Sequence, residues 1–355
     1  MAWFESYLIG RTSYVEIDGI KSYIAPMQTG IPQGTKLSPI LFSIYTSELY
    51  HILTNKGYTC YFYADDSQIV LNCDKLDDAQ EEINSLMETV VQWMSSRKLE
   101  INTDKTEIIV FNPFSNLDCL SPSSFNVCSS VVSSASDVRN LGFTFDKGLN
   151  MRAQISKVKQ KAIGNLVNIA RIVKYLDRGS RLKLVYGLVL SHIDFCNSLY
   201  IYLPNYILRE LQLIINSSAR LIVGMPRFSR DPVSPACIEL HFLPVKARII
   251  YKICLLTFKS LTFGQPIYLA ELLNIRQISR DLRSSSDLRL DEPIIAQSNF
   301  SNRCFEYVAP RLYNSLPVAV RDSSTVLTFK RRLKTFLFNQ AYDLNLLCLD
   351  ENFRV

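Results

Sequence analysis

The sequence predicts an α+β fold, with hairpins and packed helices over residues 1–112 and a mostly helical remainder. Three observations carry this. Short runs of alternating apolar and polar residues, broken by turn residues, fill the first third of the chain. Beyond Leu149 the apolar residues recur at helical spacing instead. The charge also divides: residues 1–110 hold 8 Lys and Arg against 15 Asp and Glu, leaving 31 against 18 for the rest.

In chain order, "SYVEIDGIKSYIAP" alternates around Asp18-Gly19, a hairpin signal that makes Asp18 a turn residue. "TGIPQGTKLSPILFSIYTSELYHIL" runs from a Gly/Pro loop into a helix, with Ser38 as the expected N-cap and Pro39 at the first helical position. "TCYFYA" and "SQIVLN" read as strands flanking Asp65 and Asp66. From Asp77 to Lys98, apolar residues at 79, 83, 86, 87, 90 and 94 make the stripe of a helix packed on a sheet. "KLEINTDKTEIIVF" reads as strand, polar turn, strand. Residues 113–137, rich in Ser, Asn and Cys, read as a boundary loop before the short strand "RNLGFTFD". Helical patterns then cover 151–175, 180–191, 205–223 and 244–261. A Ser/Arg/Asp-rich stretch at 276–300 reads as mobile, and "TFKRRLKTFLF" as a basic amphipathic helix.

Nine scattered cysteines without a CxxC indicate neither a disulfide framework nor a zinc site, and fit buried thiols of an intracellular protein. The start "MAWFESYLIGR" lacks the basic leader and apolar core of a signal peptide, and no apolar run reaches the length of a membrane span. The expected location is the nucleus or cytoplasm rather than outside the cell. An acidic region joined to a basic one fits a carboxylate site for cations beside a surface that grips a polyanion; a solvated basic face without a partner fits equally. His192 and Cys196, at i and i+4, read as core packing rather than as metal ligands.

Two adjacent carboxylates between apolar runs are costly to bury without partners. An Asp-Asp pair there is either the polar tip of a hairpin or a rigid support for a hard divalent cation. "GIPQG" at Gly30 to Gly34 adds a fixed loop where backbone can approach a ligand closely. On these residues the sequence resembles reverse transcriptases, and among them those of non-LTR, LINE-like (jockey/CR1-type) retrotransposons. "GIPQGTKLSPILF" resembles the family's template-positioning loop and helix, "YADD" at Tyr63 to Asp66 its metal-binding hairpin, and "NLGFTFDKGLNM" its primer-grip hairpin. "KLVYGLVLSHIDFCNSLYIYLP", "LQLIINSSARLIVG", "HFLPVKARIIYKICLLTFKSL" and "APRLYNSLPVAVR" are similar to the helical region that follows.

The resemblance implies a partial right-hand polymerase palm in 1–112, a loop and primer-grip-like hairpin in 113–150, a helical thumb-like region in 151–275 and a C-terminal region in 276–355. It implies RNA template, DNA primer and dNTP as partners, and Mg2+ or Mn2+ as cofactor. Position by position it makes Asp65 a ligand to the catalytic ions and Asp66 a second or water-mediated one. Tyr63 lies near the primer terminus, and Gly30, Pro32, Gln33 and Gly34 position template and nucleotide. Lys105 donates a proton to departing pyrophosphate, and Leu141 with Gly142 grips the primer. Each also has a structural reading: a strand aromatic for Tyr63, an exposed turn lysine for Lys105, a simple turn for Leu141-Gly142. The family places a further aspartate on a strand before this loop. Only Glu5, Glu16 and Asp18 precede Gly30, none in that setting, so the resemblance implies a chain truncated at its N-terminus. An RNA-directed DNA polymerase segment and an inactive remnant that retains nucleic-acid binding are the two functional expectations.

Overall fold

The computed structural model describes residues 2–32, 34–73, 76–111, 124–128, 130–226, 230–276, 289–294 and 301–342. They form a mixture of helices and small antiparallel sheets, distributed over two compact units. One comprises Met1–Ile108 with Asp118–Ser134, the other Ile109–Leu117 with Ala135–Val355.

The first unit opens with helix α1 (Ala2–Leu8). Strands β1 (Thr12–Ser13) and β4 (Ala25–Pro26) then pair antiparallel around the hairpin β2 (Glu16–Ile17) and β3 (Ile20–Lys21). Asp18 and Gly19 form its two-residue turn, both at positive φ (51° and 81°), as a twisted hairpin requires. Helix α2 (Ser38–Asn55) starts one residue earlier than expected, with Leu37 flanking it and Pro39 in the first turn, where a missing N–H costs nothing. Ser38 does not cap; its hydroxyl donates to the carbonyl of Pro32 instead.

Strands β5 (Thr59–Tyr63) and β6 (Asp66–Val70) make the second hairpin, and α3 (Leu76–Ser96) follows. Leu49 and Leu53 of α2, Cys60 of β5, and Leu86, Val90 and Trp93 of α3 close a small core, with Phe62 and Ile69 half-buried against it. The α3 stripe therefore falls where its spacing predicts, and Trp93 extends it.

Two expectations fail here. "KLEINTDKTEIIVF" forms no strand pair: Thr103–Lys105 is a 3-10 turn and Ile108 makes only an isolated bridge to Ser134. The Asn102 side chain accepts from the Lys105 N–H at 3.2 Å, a local bond that competes with a ladder. The supposed boundary loop contains a hairpin, β7 (Ser124–Val127) with β8 (Ser130–Ser133), while residues 112–123 and 129 lie outside the described residues. Phe125 and Val127 are buried, β7 lies against α3, and Ser124 and Asn126 occupy the exposed positions of β7. Among the described residues each of these strands pairs with only one other, so both edges of β5–β6 are unpaired.

The second unit begins with β9 (Asp137–Asn140) and β10 (Phe143–Asp146), folded at Leu141-Gly142 rather than forming one strand. Helices α4 (Arg152–Ile172), α5 (Arg178–Val185), α6 (Ser191–Asp194), α7 (Asn205–Val223), α8 (Ser234–Glu239), α9 (Val245–Phe263), α10 (Ile267–Ala270), α11 (Phe305–Asn314), α12 (Val318–Arg321) and α13 (Val326–Ala341) follow. A five-residue π turn, Tyr186–Leu190, joins α5 to α6. Ile155, Val158, Ala162 and Ile169 of α4 enter a continuous core with Leu211 and Ile222 of α7, Phe242, Cys254 of α9, and Phe329 and Leu333 of α13.

Arg248 is the charged residue of α9 that this core admits. Its Nη1 donates to both carboxylate oxygens of Asp194, at 2.7 and 3.0 Å, and its Nε donates to the Leu243 carbonyl at 2.8 Å. A guanidinium removed from water needs such partners. His192 and Cys196 do not share a helix face, because α6 ends at Asp194 and Cys196 turns to φ +51°. Most of the 276–300 stretch (277–288 and 295–300) lies outside the described residues.

Candidate functional site

The β5–β6 register determines what the aspartates do. Tyr63 pairs with Asp66, Tyr61 with Gln68, Cys60 with Ile69 and Phe62 with Ser67. Partners across an antiparallel pair share a face. Cys60, Phe62 and Ile69 thus face the α2–α3 core, while Tyr61, Tyr63, Asp66 and Gln68 line the opposite, solvent-facing side. Ala64 and Asp65 are the two-residue turn. Ala64 takes φ +53° and Asp65 does not take positive φ, the pattern of a type II′ connection. Asp65 projects from the tip and Asp66 begins the returning strand, both exposed. Tyr63 is 67% exposed, which removes its reading as a core aromatic.

The glycine loop lies in the same unit. Gly30 and Gly34 have φ of 75° and 78°, in the left-handed region where a side chain is strained, although an added Cβ would meet nothing within 4 Å at either. Gln33 lies outside the described residues. A hydroxyl chain ties the loop to α1 and α2: Tyr7 Oη to Thr35 Oγ1 at 2.6 Å, Thr35 Oγ1 to Ser38 Oγ at 2.6 Å, and Ser38 Oγ to the Pro32 carbonyl. Arg11 donates from Nη2 to the Gly30 carbonyl at 2.6 Å and from Nε to the Leu8 carbonyl at 2.9 Å. Sequence reading missed Tyr7, Arg11 and Thr35. The only cue was a Thr-x-x-Ser spacing that resembled a helix cap.

Lys105 ends the 3-10 turn of this unit, exposed, with its backbone N–H bound by Asn102. Leu141 and Gly142 are the tip of β9–β10 in the other unit, at φ 46° and 85°. Gly142 approaches the Phe195 ring, where an added Cβ would stand 3.7 Å away.

Two exposed carboxylates on a rigid tip suit one hard cation whose other ligands are water or phosphate oxygens. Among the described residues no three His, Cys, Asp or Glu side chains converge to hold a metal ion. The carboxylates of the described residues therefore do not fit a two-ion centre.

Residues 1–145 match the family described as reverse transcriptase (RNA-dependent DNA polymerase). The RNA-directed DNA polymerase from mobile element jockey of Drosophila melanogaster is 21% identical over 234 residues, 64% of this chain and 25% of that protein. Its counterpart in Drosophila funebris is 20% identical over the same shares. The probable RNA-directed DNA polymerase from transposon BS of Drosophila melanogaster is 28% identical over 152 residues, 41% of this chain and 16% of that protein. The chain spans a quarter or less of the length of these relatives. No solved structure matches. No helix among the described residues is long and apolar enough to cross a membrane. Residues 1–145 thus match the reverse transcriptase family, and the chain is similar to RNA-directed DNA polymerases of mobile elements.

Proposed function

We propose that this chain is part of an RNA-directed DNA polymerase, copying RNA from a DNA primer. Residues 1–112 serve as part of the palm, 113–150 carry the primer-grip-like hairpin, 151–275 form the thumb-like region and 276–355 the C-terminal region. The observation that supports this reading best is the two-residue turn that presents Asp65 and Asp66 at an exposed tip, within the span matched to the family.

In this reading Asp65 and Asp66 hold Mg2+ or Mn2+. A bound cation would supply charge neutralisation for the phosphates of an incoming dNTP. Tyr63, on the same face as Asp66, stacks beside the primer terminus. Gly30, Pro32, Gln33 and Gly34 offer backbone to template and nucleotide, held by the Tyr7–Thr35–Ser38 chain. Lys105 delivers a proton to pyrophosphate, and Leu141 and Gly142 steady the primer. Nucleotidyl transfer then requires a further carboxylate beyond those the described residues bring together.

Titration calorimetry with Mn2+ tests the hairpin. Asp65→Asn should weaken binding at least about tenfold, the loss of one charged ligand. Equal affinity in both proteins would remove the cation role. Primer extension on an RNA template, abolished in Asp65→Asn, would show a complete centre.

The second reading, nucleic-acid binding without catalysis, is favoured by α4, α5 and the 3-10 turn Val173–Tyr175 between them. Lys157, Lys159 and Arg178 are paired with Asp137, Glu210 and Glu239. Lys161, Arg171, Lys174 and Lys183 are exposed and have no acidic partner among the described residues. Tyr175, 76% exposed, lies 4.8 Å from the Lys174 ammonium and offers a stacking face.

A further inference from the structure

We infer that the solvent face of α13 is a separate phosphate-binding surface that takes the backbone of a nucleic acid. Lys330, Arg331, Arg332 and Lys334 lie within five residues, and the helix Val326–Ala341 contains no Asp or Glu. Phe329, Leu333 and Leu337 are buried at 2% exposure or less, and Phe329 stacks on Phe258 of α9 at 4.1 Å. The cations fan around the other side. Arg331, Arg332 and Lys334 are exposed and Lys330 half-buried. Among the described residues none of the four is in an ion pair; Arg332 donates to the Ala319 carbonyl at 2.6 Å.

This arrangement is unfavourable by itself. Lys330 and Lys334 are like charges at i and i+4, which weakens a helix. The four cations fall in the middle of the helix and its N-terminal half, away from the C-terminal end that favours them. Arg248 of α9 adds a further positive field on Lys334, whose pKa is lowered by burial first and by Arg248 second. Local rules broken together without an internal gain point to an outside partner.

The chemistry of that partner follows from what the helix has already spent. A membrane-surface helix needs a free apolar face, but that of α13 is committed to the core, leaving Leu327 as the large apolar side chain exposed on it. What remains is a group of cations, of which Lys330, Arg331 and Lys334 fall within about 100° of helix arc. Lys330 to Lys334 spans about 6 Å at 1.5 Å per residue, a length over which a duplex presents roughly three to four phosphate charges. The polymerase reading supplies the polyanion's identity; the surface itself stands on α13 alone.

The test uses the full chain and the triple variant Lys330→Gln, Arg331→Gln, Lys334→Gln, checked for unchanged helicity by circular dichroism. Binding of a 20-base-pair RNA–DNA hybrid is measured from 50 to 200 mM salt. The variant should bind at least about tenfold more weakly, with a log–log salt slope shallower by roughly two to three. An unchanged slope and affinity, with the native chain binding, overturns the inference and leaves the polymerase reading intact. A lack of hybrid binding by the native chain also overturns it. Loss of binding only to phosphatidylserine vesicles overturns it in favour of a lipid surface. Mn2+ binding at Asp65 serves as the independent readout: its failure counts against the polymerase reading and not against α13.

Discussion

At the residue scale, a carboxylate of α2 is held by donors from α3 and from the residue just beyond it. Glu48 of α2 accepts from Trp93 Nε1 at 2.9 Å and from Arg97 Nη2 at 2.5 Å. The Trp93 bond, then the Arg97 bond, holds its carboxyl below the usual range. A depressed carboxylate stabilises the fold above its unfolded pKa, and the gain is lost as pH falls through the folded value. Glu48→Gln should therefore lower the urea midpoint at pH 7 and converge with the native protein below the normal carboxylate range. Ala64 is a second test. Its φ of +53° is costly for any β-branched side chain, so Ala64→Val should destabilise by about 1–2 kcal/mol while Ala64→Gly is tolerated. The aspartates were legible because two charges interrupting apolar strands have few explanations. The Tyr7–Thr35–Ser38 chain was not, since hydroxyls 28 residues apart carry no pattern in sequence.

At the element scale, helices with a single apolar stripe were read correctly and short strands less so. The α3 and α4 stripes recur every three or four residues over 21 residues each, enough repeats to exclude other periods. Strands β7 and β8 have four residues each, half of them Ser or Asn in β7, and only tertiary burial of Phe125 and Val127 distinguishes them from a loop. The reverse error at Lys98–Phe111 has the same origin: apolar alternation without a neighbouring strand yields one bridge. The loop before α2 is held by side chains rather than by a ladder. Thr35→Val should cost about 1–2 kcal/mol through unsatisfied hydroxyls and speed amide exchange in residues 30–37, measured by mass spectrometry.

At the scale of the whole molecule, the two units have cores of unequal size, six buried residues around Leu53 against a much larger set in the helical unit. Both tryptophans, Trp3 and Trp93, belong to the first unit. Tryptophan fluorescence should consequently report an earlier denaturant transition than far-ultraviolet circular dichroism, which the helices dominate. Leu53→Ala, at a fully buried position, should move the fluorescence transition by about 2–5 kcal/mol and leave the other in place. The charge division seen in the sequence runs close to the same partition, with the acidic excess in residues 1–110 and the basic excess in the remainder.

The unpaired edges of β5–β6 bear on how the hairpin behaves at high concentration. A two-stranded ribbon with tyrosines on its open face is a template onto which another copy can add a strand. The two carboxylates at its tip repel such an approach, acting as gatekeepers of colloidal stability. Replacing them with asparagine, the natural control for cation binding, strips that repulsion, so the control protein should self-associate at lower concentration in light scattering than the native chain does.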